Sequence, residues 1–281
     1  MRLVNKSIAA TIGVPHEIIA IDNSAGKFGI CEAYNLGAQQ SQYGALCFMH
    51  EDLRFHTDGW GNVVLKNLAD PTTGVLGVAG ATYQAKAPTS WISAGTSCLR
   101  VNVLHSTGTS TPRLDCFNPK SEVTAEVATV DGLWMCCRKE VWEKFPFDQQ
   151  SFPNFHFYDI DFCTKIFLKY RILVTYELLI EHFSEGTFKR DWVINALKYF
   201  RLRNKYLPFG KTNLTESEAK EQELIIFQQR LKELINYKAK ASDILYCLYQ
   251  CMALDFSNRD TLWVAKQYLK SKTFFEIEQL N

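Results

Sequence analysis

The sequence predicts an α/β fold with a C-terminal helical appendage, and three observations carry that prediction. Two apolar runs, at residues 17–24 and 45–52, are too short for stable helices and end in acidic or polar residues. Between them, Ile30, Ala33, Tyr34 and Leu36 recur roughly at helical spacing. Beyond residue 189 the apolar pattern becomes wholly helical. The first two observations give strand, helix, strand, the unit of a parallel sheet.

Taken in order, Leu3-Val4 leaves room for only a remnant of a strand before a first helix at 7–12. The strand at 17–24 ends in Asp22-Asn23-Ser24, and the helix occupies 29–40. The run Ala45-Leu46-Cys47-Phe48-Met49 then ends in His50-Glu51-Asp52. In open α/β sheets ligands bind at the carboxyl ends of strands. Adjacent carboxylates there suit a hard divalent cation that also holds phosphate oxygens, although a solvated acidic turn gives the same pattern. Convergence of Asp22 with Glu51 and Asp52 on one sheet edge favours a site.

A helix with Trp60 in the core is expected at 59–68 and a buried strand at 74–80. Residues 83–123, rich in Thr, Ser, Pro and Gly, read as long loops with short strands, in which His105, Arg113 and Lys120 have surface or core roles. A strand at 172–180 precedes His182. Trp192, Ile194, Leu197, Tyr199 and Phe200 mark a helix with a basic face (Lys198, Arg201, Arg203, Lys205) that stops near Pro208 and Gly210. Thr215 and Glu218 form a capping box before a long helix to about residue 237. Two more helices follow, at 244–252 and 262–269, the second capped by Asn258 or Asp260.

Three segments resemble family 2 glycosyltransferases: residues 17–55, 129–148 and 155–187. The resemblance is closest to a bacterial branch with a His-Glu-Asp triplet in place of the usual Asp-x-Asp. It implies a GT-A fold, a Rossmann-like mixed sheet flanked by helices, over residues 1–188, with a helical region at 189–281. It further implies that Asp52 holds Mn²⁺ or Mg²⁺ on a sugar-nucleotide diphosphate, with Glu51 in the middle place and His50 replacing the first acid. Asp22, with Asn23, matches the nucleobase contact, and Asp131 and Gly132 match the segment facing donor sugar and acceptor. Asp159 matches the catalytic base of the Glu-Asp-x-Asp pattern, and Tyr158 stands where the Glu would be. Asp161 would be structural, as a cap for the helix that follows. His182 matches a late histidine that completes the metal shell. Members of the family open on a long apolar strand, so here that strand is shortened, absent from the given sequence, or lost with the pocket wall.

Composition is that of an ordinary globular protein: 281 residues, 47% hydrophobic and 22% charged, enough for a full core. A net charge of +1 leaves no electrostatic footprint for nucleic acid. Nine scattered cysteines without a CxxC pattern imply reduced thiols and a cytoplasmic protein, either free or at the inner face of the membrane. No apolar run reaches the length of a membrane span, and no signal peptide opens the chain.

The chemistry expected is transfer of a sugar from a UDP- or GDP-sugar donor to a hydroxyl of a glycan or lipid-linked glycan acceptor, with inversion, in cell-surface polysaccharide synthesis. One carboxylate base with no evident nucleophile fits inversion. The alternatives are an inactive GT-A scaffold that binds or assembles and, behind it, a nucleotidyltransferase, which would want a Gly- and basic-rich phosphate loop. The basic helix face suits peripheral contact with an anionic membrane, and the apolar faces of the C-terminal helices suit packing on the catalytic domain or a homodimer.

Overall fold

The computed structural model describes residues 2–106, 111–184, 186 and 189–278. In chain order its elements are α1 (Arg2–Thr11), α2 (Ile30–Gln40), β1 (Ala45–Met49), β2 (Leu53–Phe55), α3 (Trp60–Leu68), β3 (Thr73–Gly77), β4 (Ala79–Ala81), β5 (Tyr83–Gln84), β6 (Leu99–His105) and β7 (Arg113–Phe117). There follow β8 (Thr124–Val127), β9 (Thr129–Val130), β10 (Trp134–Arg138), α4 (Lys139–Lys144), α5 (Tyr158–Phe167), β11 (Arg171–Thr175), β12 (Ile180–His182), α6 (Arg190–Arg203), β13 (Phe209–Gly210), α7 (Glu216–Asn236), α8 (Ala241–Leu254) and α9 (Arg259–Glu278). They fall into two compact units, one of residues 1–85, 90–187 and 205–213, the other of 86–89, 188–204 and 214–281.

The first unit is mixed α/β. One sheet has the order β1-β10-β3-β11-β8, a second has β2-β12-β6-β4-β9 with β7 on β6, and β13 pairs with β5. β11 with β3 and β12 with β6 are parallel; the other pairs are antiparallel. The core is aromatic beside β2: Trp60 stacks on Phe55 with ring centroids 4.4 Å apart and meets Trp134 edge-on at 6.1 Å. Trp60 also donates Nε1–H to Thr11 Oγ1 at 3.1 Å, and Phe55 donates its amide to Ser7 Oγ at 2.8 Å, so α1 is tied to β2.

Several expectations are corrected. Residues 17–24 form no strand, and β1 pairs only with β10, antiparallel, so the first strand-helix-strand unit is absent. A strand needs a ladder partner for its amides and carbonyls. Here Glu17 instead accepts from the Gln42 amide at 2.7 Å and the Ser41 hydroxyl at 3.1 Å, fixing the segment to the loop before β1. Leu3 and Val4 lie in α1 rather than a strand remnant. The run 172–180 divides into β11 and β12, which belong to different sheets. Residues 83–123 contain a seven-residue strand, β6, near the middle of the second sheet. Asp161 does not cap α5: it is buried within the helix and pairs with Lys165 at 3.4 Å. Finally, Cys47 and Cys136 are joined by a disulfide, against the expectation that all thiols are reduced. The β1–β10 register sets them opposite each other, 4.2 Å apart at Cα, although they are 89 residues apart in sequence.

The second unit is helical. Thr215 and Glu218 close the capping box at the start of α7. Arg201 pairs with Asp243 at 2.6 Å, Phe200 meets Phe227 edge-on at 5.2 Å, and Arg230 lies over the Trp192 ring at 4.8 Å. Among the described residues no helix is long and apolar enough to cross a membrane.

Candidate active site

Strand register assembles the site. β1 delivers His50, whose amide donates to the Leu133 carbonyl at 3.0 Å. Three residues later the chain enters β2, which pairs with β12 so that Leu53 opposes His182. Asp52, next to Leu53, therefore meets His182: its Oδ1 lies 3.5 Å from His182 Nε2, and its carbonyl accepts the Phe183 amide at 3.0 Å. Ser184 Oγ lies 3.0 Å from the same His182 nitrogen. Hydrogen bonds from His182 and Ser184 hold the Asp52 carboxyl well below the ordinary carboxylate range despite partial burial.

His50, Asp52 and His182 each place a ligand atom within 4.8 Å of the others. Burial lowers the affinity of His50 for a proton, which favours the neutral imidazole, the form that ligates metals. Two imidazoles and an ionised carboxylate are a donor set that fits a divalent first-row ion. Glu51, between His50 and Asp52, is exposed and is not among these three.

β12 is anchored from its other face. Strand alternation turns Glu181 away from His182. There it accepts from Ser106 Oγ at 2.6 Å, and its other oxygen lies 2.8 Å from His56 Nε2 and 3.3 Å from Arg54 Nη1. Sequence reading missed this cluster, for which alternation along 180–182 was the available signal. His105, opposite His182 on β6, was read as surface or core; it pairs with Asp115 at 3.5 Å, and its ring lies 5.9 Å from that of His182.

The second half of the site is the turn after β9 and the start of α5. Asp131 accepts the Leu133 amide at 2.8 Å on one oxygen and the Trp91 indole N–H at 3.1 Å on the other. Trp91, in the 3₁₀ turn Trp91–Ala94, is a contact that the Ser- and Thr-rich sequence around it did not suggest. The Gly132 amide donates to Asp159 Oδ2 at 3.0 Å, and the Ile160 amide donates to its Oδ1 at 2.9 Å. Withdrawal from water, reinforced by the Asp131 charge, raises the Asp159 carboxyl to about 7 despite those amides. A carboxylate poised there has the proton affinity of a general base working near neutrality. Tyr158 joins the two halves: its hydroxyl lies 2.9 Å from His50 Nε2. Gly132 makes this possible, because a Cβ at that position would run into the Tyr158 hydroxyl.

Asp22 and Asn23 lie in an exposed loop with local bonds. Asp22 Oδ1 accepts the Ser24 amide at 3.0 Å; Asn23 exchanges two 2.8 Å hydrogen bonds with the Phe28 backbone. The structure thus brings together His50, Asp52 and His182, and Asp131, Gly132 and Asp159.

Residues 3–215 match the profile of the glycosyltransferase-like family. The chain belongs to that family. The match includes α6, so the family's reach extends past the α/β unit into the first of the C-terminal helices. No curated protein sequence matches the chain. Among solved structures it is similar to a crystal structure of GalNAc-T7 with UDP, GalNAc and Mn2+, at 11% identity and a TM-score of 0.43, over 81% of this chain and 45% of that one. The chain thus spans less than half the length of that relative.

Proposed function

We propose that this family member is an inverting, metal-dependent glycosyltransferase that moves a sugar from a nucleotide-sugar donor to a hydroxyl of a glycan acceptor. The observation that carries the reading is the placement of a His-Asp-His set, apt for a cation, beside a carboxylate raised to about 7. Bound by His50, Asp52 and His182, a Mn²⁺ or Mg²⁺ ion would supply Lewis-acid stabilisation of the diphosphate leaving group. Two nitrogen donors favour Mn²⁺ of that pair, since Mg²⁺ prefers oxygen ligands.

The chain's own residues account for the rest. Asp159, held by the Gly132 and Ile160 amides, takes the proton of the acceptor hydroxyl as that oxygen bonds to the anomeric carbon and the bond to the diphosphate breaks. With one base and no side chain assigned as a nucleophile, attack comes from the face opposite the leaving group and inverts the centre. Asp131 is fixed by Trp91 and the Leu133 amide, as suits a residue facing the donor sugar. Asp22, Asn23 and Glu51 are assigned to the nucleotide on the family pattern. A UDP- or GDP-sugar donor and a cell-surface polysaccharide acceptor rest on the same resemblance.

The test is a thermal-shift titration with UDP, GDP and their common sugar conjugates, with and without Mn²⁺. A ligand that binds only the native state must raise the melting temperature. A Mn²⁺-dependent rise with one nucleotide series is expected, and no rise with any of them in a folded sample would overturn the reading.

A further inference from the structure

His50 and Tyr158 are the two places where the chain departs from the acidic pattern of the enzymes it resembles, and in the fold they touch. We propose that Tyr158 is a positioning residue for His50. Its hydroxyl oxygen accepts the Nε2–H of the imidazole, leaving the Nδ1 lone pair as the third ligand beside Asp52 and His182. The inference rests on the metal-dependent reading above and adds the device that makes His50 a ligand.

A neutral imidazole has one N–H and one lone pair, and the hydrogen bond made by one nitrogen decides what the other offers. His50 Nε2 is engaged at 2.9 Å by Tyr158, so Nδ1 is the nitrogen left for an ion. The direction of the bond is then decisive. If the phenol donated, Nδ1 would carry the proton and could not ligate.

The surroundings of Tyr158 fit an acceptor held in place. The side chain is 4% exposed and lies among Tyr34, Phe147 and Phe155, with ring centroids 5.8, 6.3 and 6.1 Å away. Gly132 gives its hydroxyl room, and Phe155 flanks His50 with ring centroids 5.5 Å apart. Partners behind a ligating histidine orient the ring and fix its tautomer.

The experiment measures Mn²⁺ binding in the presence of UDP, from the loss of the free-ion electron paramagnetic resonance signal. Wild type, Tyr158→Phe, His50→Ala and the double variant are compared, each with a thermal melt. Loss of an outer partner of this kind weakens a metal by roughly 10- to 100-fold. That loss is expected for Tyr158→Phe, and the double variant should bind no more weakly than His50→Ala alone. Nitrogen-15 shifts of the six histidines in metal-free wild type should show His50 as the Nε2–H tautomer; this readout stands even if a variant fails to fold. Mn²⁺ affinity unchanged within about twofold in Tyr158→Phe, additive losses in the double variant, or an Nδ1–H tautomer would overturn the inference and leave the proposed function standing. Wild type that binds no Mn²⁺ would overturn both.

Discussion

The amide of Gly132 donates to Oδ2 of Asp159 at 3.0 Å, across 27 positions of sequence. It ties the turn after β9 to the first turn of α5. The same glycine has no side chain to obstruct Tyr158, so one residue positions the proposed base and admits the side chain that reaches His50.

Replacing Asp159 with Asn keeps its size and removes its basicity. Sugar transfer should fall by about 10²- to 10⁴-fold, the usual contribution of a general base. Donor affinity, read by thermal shift, should be unchanged. In wild type the rate should climb with pH through about 7 and level off above it, because the base works only when ionised. A flat profile from pH 5 to 9 would remove Asp159 from the role.

The same raised value has a consequence for stability. The folded-state value lies above the ordinary 3.8, so the favourable contribution is complete below 3.8 and is lost as pH rises to about 7. In metal-free buffer at pH 8, Asp159→Asn should therefore melt a few degrees higher than wild type, while at pH 4 the two should converge. Calorimetry at both pH values decides this, and a variant that melts lower at pH 8 would contradict it.

Asp52→Ala removes the only carboxylate of the proposed cation site. The Mn²⁺-dependent part of the thermal shift with nucleotide should vanish, and transfer with it. Any shift that is independent of metal should survive. Retention of a full Mn²⁺-dependent shift would place the ion elsewhere.

Peptide mapping without reductant should recover Cys47 linked to Cys136. Closing a loop of that length typically adds about 2–4 kcal/mol to stability, so a reductant or Cys136→Ser should lower the melting temperature. Because Cys47 precedes His50 by three residues on the edge strand, Mn²⁺ affinity measured before and after reduction will show whether the bond also steadies the site.

Thr215 accepts the Glu218 amide, and Glu218 in return accepts the Thr215 amide at 2.8 Å. Thr215→Ala should cost about 1 kcal/mol, the usual worth of such a cap, seen as a lower melting temperature with transfer unaffected.

What the sequence determined by itself was local. Thr215 and Glu218 announce the start of α7, because a capping box is closed within four residues. The apolar run into His50-Glu51-Asp52 announces a strand end, because burial and its abrupt stop are written in consecutive residues. The resemblance to a glycosyltransferase family, carried by three short segments, was likewise legible, and the family match over residues 3–215 agrees with it. Tertiary structure decided everything that depends on a partner distant in sequence. Residues 17–24 have the composition of a strand yet form none, because a strand exists only through hydrogen bonds to another. Cys47 pairs with Cys136, Trp91 with Asp131 and Ser106 with Glu181 through register and packing, which leave no spacing to read. His50 and Tyr158 are two departures in the sequence; only the fold, by setting Tyr158 against Gly132, makes them one contact.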